Sequence, residues 1–484
     1  MKHQHPIKIL KLMSKNFWLL LIPLIRGLIY LRGDVYAWVR GAYVDILVIL
    51  VIAGSAYLRW YFTWYEVKGT SIVIKKGIIA KARFTVPFTS ICAISAERKF
   101  LFRPVKAVNL YLDTNSGTLQ SADVQITVRL KDYEALFKII SKRKESSGVK
   151  TSYRPSQTNL VLFSFLFSST LSGVVFLATL LIQSSKIVWH SLEQTLFTAV
   201  TDVSRKLALG LPPLAIGISL VISAGWIFSF VSSLLRYLGF KIERVNKIIN
   251  IHTGFFTRRH YYINSDKINY ADLRQNLLTK LFSIMSVHVN CSGYGKAKNE
   301  IPVFVPITTK NQVYSSLQLL LPNMSVISGG IKPRWNYFFR FIWVPFFSML
   351  GIPVASFILN RIFPLWNSMI LFVAVMSEIP IIWLLIAKFT HFFTTRISYS
   401  DKSLCLQYSF GYAFHTILIP KNKISKITVK QSITQTPAKS CDVRVYSNSE
   451  FTKCHRVICM PIDDVLKLLK ESGLSSTEIE CFRK

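Results

Sequence analysis

Cysteine is scarce and follows no pairing pattern: there are seven in 484 residues, at 92, 291, 405, 441, 454, 459 and 481, with no CxxC pair and no second cluster at zinc-site spacing. A disulfide framework is excluded. Cys454 and Cys459, with His455 between them, read as ordinary strand residues of a reducing compartment, so no metal and no cofactor is expected. Catalytic signatures are equally absent, with no GxSxG, HExxH, P-loop or dinucleotide glycine pattern. The loop "GYGKAKNE" (293–300) lacks Walker spacing and sits between strands, so it reads as a surface hairpin. The nine His are scattered, with His252, His260 and His288 within 239–325; no partnered Ser, Cys or carboxylate recurs at a useful interval, so they read as neutral strand or surface residues. The chain is not expected to be an enzyme. Acids are few as well, 24 against 59 Lys and Arg, for a formal charge of +35. Nucleic-acid binding would call for aromatics interleaved with Arg on one sheet, and no such array is present.

What is abundant is apolar. Hydrophobic residues make up 51% of the chain, 34 of them Phe, and mean hydropathy is +0.36, which places it at a membrane. Runs near the ~20 residues that a bilayer core requires fall at Phe17–Leu31, Tyr43–Leu58, Leu160–Ile182, Leu211–Leu235, Phe338–Leu359 and Leu365–Phe389. They form three hairpins, each followed by about 95 less apolar residues. The first two runs are short and Arg26 interrupts one, so the first hairpin reads as re-entrant, interfacial or, preferably, spanning. The basic start "MKHQHPIKILKLMSK" leads into this run with no small-residue cleavage motif, so the segment is read as retained.

Charge distribution orients the hairpins. Their loops carry only Arg32, Arg40, Lys186, Arg205, Lys206 and Arg361; setting these and Arg26 aside leaves 52 of the 59 basic residues on the other side. That side is expected to be cytoplasmic, facing the anionic inner leaflet, where each nearby cation contributes ~1 kcal/mol of attraction. The basic flanks "SKRKESSGVKTSYR" (141–154) and "KPRW" (332–335) fit this positive-inside pattern and headgroup contact equally well.

The three cytoplasmic stretches repeat one another. With Ile91, Ile268 and Ile424 as equivalents, the residue four earlier is Pro87, Asn264 and Pro420. Fourteen earlier stand Gly77, Gly254 and Phe410, the last beside Gly411. A constant interval with so little identity indicates a shared backbone, because strand register tolerates changed side chains better than changed lengths. Each copy carries short segments rich in β-branched residues, such as "SIVIKKG" and "VQITVRL", and then shifts to helical periodicity at Tyr133, Leu136 and Phe137, at Val313, Leu317 and Leu320, and at Ile462, Val465 and Leu469. Five to seven antiparallel strands and one helix predict a curled sheet capped by its C-terminal helix, the outline of a pleckstrin-homology (PH) fold.

A helical hairpin running into "WYEVKGTSIVIKKGIIAKARFTVPFTSI" resembles the bacterial PH-domain membrane proteins, the YdbT-like family, whose units read as strand, Gly-containing turn, strand, then Pro-x-x-[basic or polar]-Ile. The chain matches at Gly77, Pro87, Ile91, Pro420 and Ile424, and departs at Asn264 and Phe410. The expected fold class is therefore membrane α-helical hairpins plus α+β PH-like modules, with six transmembrane helices and three cytosolic modules. Hairpins are placed at 1–62, 155–238 and 335–390, modules at 63–150, 239–325 and 391–475, and a tail at 476–484. The resemblance implies a multi-pass protein of the bacterial cytoplasmic membrane and a smaller partner with one hairpin and one PH-like unit; it implies no activity.

Eukaryotic PH modules hold headgroup phosphates with Lys and Arg on the first strands and the turn between them. The matching positions are Lys75, Lys76, Lys81 and Arg83 in the first copy and Arg258 and Arg259 in the second, while the third offers only His415. Bacterial PH modules also bind proteins, and strand edges accept peptides. The expected role is a non-enzymatic scaffold or sensor in envelope maintenance or stress resistance. Its three modules engage partner proteins or anionic lipid multivalently. The alternative is a transporter or lipid-handling protein using Arg26 and Glu378, intramembrane charges that serve either as a pathway or as a structural pair.

Overall fold

A computed structural model of the chain describes residues 2–15, 42–78, 80–114, 124–142, 150–166, 213–291, 303–325, 329–448 and 454–473. The run Phe17–Leu31 with Arg26, the larger part of Leu160–Ile182 and the loop 293–300 lie outside the described residues. The helices are α1 (Lys8–Lys15), α2 (Ala42–Tyr61), α3 (Leu130–Lys142), α4 (Gln157–Leu166), α5 (Pro213–Tyr237), α6 (Leu277–Leu281), α7 (Lys310–Leu320), α8 (Phe338–Ile362), α9 (Asn367–Thr394) and α10 (Ile462–Glu471).

Two segments among the described residues are long and apolar enough to cross a membrane, Trp335–Ile362 and Pro364–Thr394, with mean hydropathies of 2.0 and 2.4. They contain α8 and α9. At ~1.5 Å per residue each reaches ~40 Å, more than the ~30 Å hydrocarbon core. Leu350, Val354, Phe357 and Leu371 are each more than half exposed, a display of large apolar side chains that lipid accommodates and water does not. The apolar stretches of α2 and α5 are shorter, Ile46–Tyr61 and Val221–Tyr237.

Each repeat is six strands and a helix. The first copy comprises β2 (Trp64–Lys68), β3 (Ser71–Lys76) and β4 (Ala82–Pro87), then β5 (Ile91–Arg98), β6 (Ala107–Thr114), β7 (Val124–Arg129) and α3. An N-terminal strand β1 (Lys2–His3) and an edge strand β8 (Lys150–Tyr153) flank it. The second copy comprises β9 (Lys241–Val245), β10 (Ile248–Thr253) and β11 (Arg258–Asn264), then β12 (Ile268–Asn276), β13 (Ile284–Cys291), β14 (Val303–Thr309) and α7. The third comprises β15 (Arg396–Tyr399), β16 (Ser403–Phe410) and β17 (Ala413–Pro420), then β18 (Ile424–Lys430), β19 (Ser440–Ser447), β20 (Cys454–Pro461) and α10. The markers Pro87, Asn264 and Pro420 end the third strand of each copy, and Ile91, Ile268 and Ile424 open the fourth.

The copies are not separate beads. The residues divide into two compact units, with β9–β11 of the second copy in the first unit and β12–β14 in the second, apart from Lys241 and Cys291 at the boundaries. In the first unit the sheet order β7-β6-β5-β11-β10-β9-β8 joins strands of two copies, beside a smaller sheet β1-β2-β3-β4. In the second, β14-β13-β12-β17-β16-β15 does the same, beside β18-β19-β20.

Strands β5 and β12 are therefore central and covered, which is why "ICAISAER" is buried through its first seven residues and "INYADLRQN" through its first six. The equivalent β18 is an edge among the described residues, with a mixed burial pattern and Lys at 426 and 430, the charge that blunts edge pairing. Ile72, Ile74, Val86 and Phe88 pack against Ile94, Leu110, Ile126 and Leu136 in the first unit, joined by Ile248 and Tyr262 of the neighbouring copy. Tyr270 likewise joins Leu404, Ile417, Val443 and Val465 in the second.

Candidate functional site

Within the first unit the N-terminal segment is stitched onto the first PH module. Lys2 and His3 pair with Tyr65 and Trp64 of β2, and the Trp60 indole donates to the Gln4 carbonyl at 2.8 Å. The Lys2 ammonium meets Asp132 at 2.5 Å. This holds α1 against the last turn of α2 and the β3–β4 hairpin, and between them lies a cavity of about 620 Å³. Lys8 and Leu12, one helical turn apart on α1, face it, as do Arg59 and Thr63 at the end of α2. Ile74, Lys76, Ala82 and Phe84 face it from β3 and β4, residues of alternating parity that share one side of the hairpin.

Three cations, Lys8, Arg59 and Lys76, line the cavity, and no carboxylate does so among the described residues. The Lys76 ammonium stands 4.5 Å from the Phe84 ring centroid, and Lys8 donates to Gln4 Oε1. The turn depends on Gly77. Its φ is +125°, and a Cβ there would lie 1.9 Å from the Ala80 carbonyl oxygen. Cations over a largely apolar wall, at the foot of an apolar helix with Tyr57, Trp60, Tyr61 and Trp64 around its end, suit an anionic amphiphile.

The cavity divides the expected binding residues. Lys76 lines it. Lys75 and Arg83 are direct cross-strand partners on the opposite face, both exposed, and Lys81 is exposed in the turn. Arg258 is exposed at the start of β11, opposite Arg98. Arg259 instead meets Glu97 at 3.3 Å with both side chains 11% exposed, and Tyr111 donates to the other Glu97 oxygen at 3.3 Å. Lys8 and Arg59 escaped the sequence reading. Their signals were the three-to-four-residue spacing of Lys8, Lys11 and Lys15 and the single Arg at the end of an apolar run.

Arg259 and Glu97 belong to a recurring pattern. Glu97 stands six residues after Ile91 and Arg259 nine before Ile268, and the two are cross-strand partners on β5 and β11. In the second unit Arg274 stands six after Ile268 and His415 nine before Ile424, again partners, on β12 and β17. Both seams thus share one register. In the second, Arg274 Nε donates to Asp272 at 2.6 Å, and His415 Nδ1 lies 3.1 Å from each Asp272 oxygen. Burial works to raise the Asp272 pKa, but the His415 hydrogen bond and the Arg274 charge outweigh it and hold the carboxyl below its usual range.

Around this clasp Tyr408 stacks on His415 and bonds His455 Nδ1 at 3.0 Å. Burial lowers His455 to about 4 and His288, bonded to Ser286 on its own strand, to about 3. In the first seam burial lowers His260 to about 3, with Tyr133 Oη 2.5 Å from its Nδ1. The Tyr408–His455 and Tyr133–His260 bonds link separate elements, an arrangement that fixes strand register. No group of three His, Cys, Asp or Glu with metal-site geometry occurs among the described residues.

The remaining sequence markers are conformational. Gly254 repeats the positive φ of Gly77, at +99°. In the third copy Gly411 takes φ +57° as the first residue of a two-residue turn, so a shorter hairpin displaces the glycine and Phe410 becomes the last strand residue. In α9 both Glu378 carboxylate oxygens are shielded and have no hydrogen-bond partner among the described residues.

Comparison with known proteins agrees with this geometry. The Bacterial PH domain family matches three times, at residues 19–144, 196–319 and 341–473. UPF0699 transmembrane protein YdbT of Bacillus subtilis (strain 168) is 22% identical over 342 residues, covering 64% of this chain and 67% of that protein. Three matched stretches spanning most of the sequence, each containing one six-strand-plus-helix repeat, place the chain in the bacterial PH-domain family.

Proposed function

We propose that this chain is a non-enzymatic, multi-pass protein of the bacterial cytoplasmic membrane, with six spans and three cytosolic PH modules, that acts as a scaffold or sensor by holding anionic phospholipid headgroups. The observation that carries the reading is the cavity where Lys8, Arg59 and Lys76 converge over the apolar walls of Leu12, Ile74 and Phe84. Several cations around one phosphate give charge-assisted hydrogen bonds, and the site lies at the end of an apolar helix, at the level of the headgroups. A scaffold of this kind also engages protein, and a smaller membrane protein with a single PH module is the partner we favour.

Native mass spectrometry of the full-length protein released from mixed phosphatidylglycerol and phosphatidylethanolamine bilayers tests the reading. Retained phosphatidylglycerol is expected to be lost in the Lys8→Glu, Arg59→Glu, Lys76→Glu variant and kept in Lys75→Glu, Arg83→Glu. Equal retention in both variants contradicts the site.

A second reading, proton-coupled transport or lipid handling, is favoured by one observation, the Glu378 carboxylate two residues before Pro380 in α9, which has no hydrogen-bond partner among the described residues. Glu378→Gln separates the two: it abolishes proton-coupled transport and leaves headgroup retention unchanged.

A further inference from the structure

The third module's β16–β17 hairpin ends beside a candidate spanning helix, near the end of its apolar stretch, and the Tyr412 side chain reaches further in. The Ser409 backbone N–H donates to His391 Nε2 at 2.8 Å, and the Tyr412 hydroxyl donates to the Pro380 carbonyl at 3.0 Å. The first cation of α9 beyond Pro380 is Lys388, eight residues on, so the Tyr412 hydroxyl sits ~12 Å short of that charge at ~1.5 Å per residue. Half the hydrocarbon core is only ~15 Å. Phe410 at the tip is 80% exposed.

The neighbouring loop has the same character. Asn276 is the cross-strand partner of Ala413, and the α6 turn that follows it exposes Leu281 and Phe282 at 77% and 62%. Irregular backbone survives in hydrocarbon only where its polar groups are satisfied. Several of the tip's polar groups meet that condition: Phe410 pairs with Ala413 across a two-residue turn, Ser409 N–H is taken by His391, and the Tyr412 hydroxyl by Pro380. The corresponding end of the first seam, considered by itself, repeats the composition. Phe255 and Phe256 in the β10–β11 turn and Phe100 after β5 are all at least half exposed, with Phe100 and Phe256 edge to face at 6.2 Å. The first tip thus shares the exposed Phe side chains on a seam of the same register, with Arg103 donating to the Phe255 and Phe256 carbonyls.

We propose that the tip formed by Phe410, Tyr412, Leu281 and Phe282 is inserted among the acyl chains of the leaflet that α9 enters, so that the seam between the second and third modules is itself a membrane-embedded wedge. This rests on the reading of α8 and α9 as spans, and it is independent of the cationic cavity.

Nitroxide labels on full-length protein in phosphatidylglycerol and phosphatidylethanolamine liposomes test it, with the signal of the unsubstituted protein subtracted. Labels at Phe410→Cys and Leu281→Cys are compared with Val354→Cys on the exposed face of α8 and with Asp401→Cys at the other end of the same hairpin. The ratio of oxygen to nickel-chelate accessibility at 410 and 281 is expected to match that at 354 and to exceed that at 401 several-fold. Lipid accessibility at 354 with water accessibility at 410 and 281 overturns the insertion alone. Water accessibility at 354 overturns the spanning reading and the insertion with it.

Discussion

Asp272→Ala removes the carboxylate on which the second seam closes. The Asp272 side chain is 5% exposed and receives Arg274 at 2.6 Å and His415 at 3.1 Å. Hydrogen bonds to a charged group contribute roughly 1.5–3 kcal/mol each, but the Arg274 side chain is 42% exposed and regains water on release, so its share is discounted. His415, 16% exposed, keeps its stacking on Tyr408. The net cost is therefore ~2–3 kcal/mol, borne by the β12–β17 pairing. Hydrogen–deuterium exchange by mass spectrometry of the full-length protein reads this locally. Amides of β12 and β17 should exchange about 30- to 150-fold faster, since ~1.4 kcal/mol is tenfold, while those of β6 and β7 in the other unit stay unchanged. A change below about fivefold in β12 and β17, or an equal change in β6 and β7, refutes the claim that this clasp holds the seam.

Gly77→Val places a β-branched residue at φ +125° with its Cβ against the Ala80 carbonyl, so the hairpin must reshape; we expect loss of phosphatidylglycerol retention and a destabilisation of ~1–3 kcal/mol by thermal unfolding. His260, His288 and His455 are held neutral with pKa values of about 3 to 4 against an ordinary 6.5, so the unfolded chain binds more protons through that window and stability falls as pH drops below about 6.5, by up to ~1.4 kcal/mol per group per pH unit. The midpoint of thermal unfolding should accordingly be lower at pH 5 than at pH 7.5, and an unchanged midpoint contradicts the buried assignment. Burial, aided by the Asp442 charge, pushes the Cys459 thiol up to about 11, so alkylation mapped by mass spectrometry at pH 7.5 should spare it in the folded protein and reach it after denaturation.

The repeat itself was readable from spacing alone, because Pro87, Asn264 and Pro420 close one strand and Ile91, Ile268 and Ile424 open the next, positions where register constrains length. The α8–α9 hairpin was readable from hydropathy for the same reason that lipid tolerates it. The joining of strands between copies was not readable: Glu97 and Arg259 are 162 residues apart and carry no local signal that they meet. The uninterrupted burial of β5 left a trace in "ICAIS", which lacks the polar alternation of a sheet edge, whereas β12 buries Asn269 and Asp272 and shows none. The cavity was half legible. Lys76 and Gly77 sit in the turn that family resemblance selects, whereas Lys8 reaches it only because His3 and Gln4 tie a distant segment to β2 and Trp60. Arg259 looked like a headgroup ligand from its place in a basic turn, but strand pairing turns it onto Glu97.

The central claim is that successive PH modules share sheets in one fixed register, and pairwise cysteine substitution in native membranes tests it most directly. Cross-strand partners lie ~4.5–5.5 Å apart at Cα, within disulfide range, whereas diagonal neighbours at ~7–8 Å are not. Glu97→Cys with Arg259→Cys, and Arg274→Cys with His415→Cys, should each form an intramolecular disulfide under mild oxidation, detected as joined peptides after proteolysis. Arg274→Cys with Ile417→Cys should not. Failure of both partner pairs, or equal yield from the diagonal pair, would contradict the shared register.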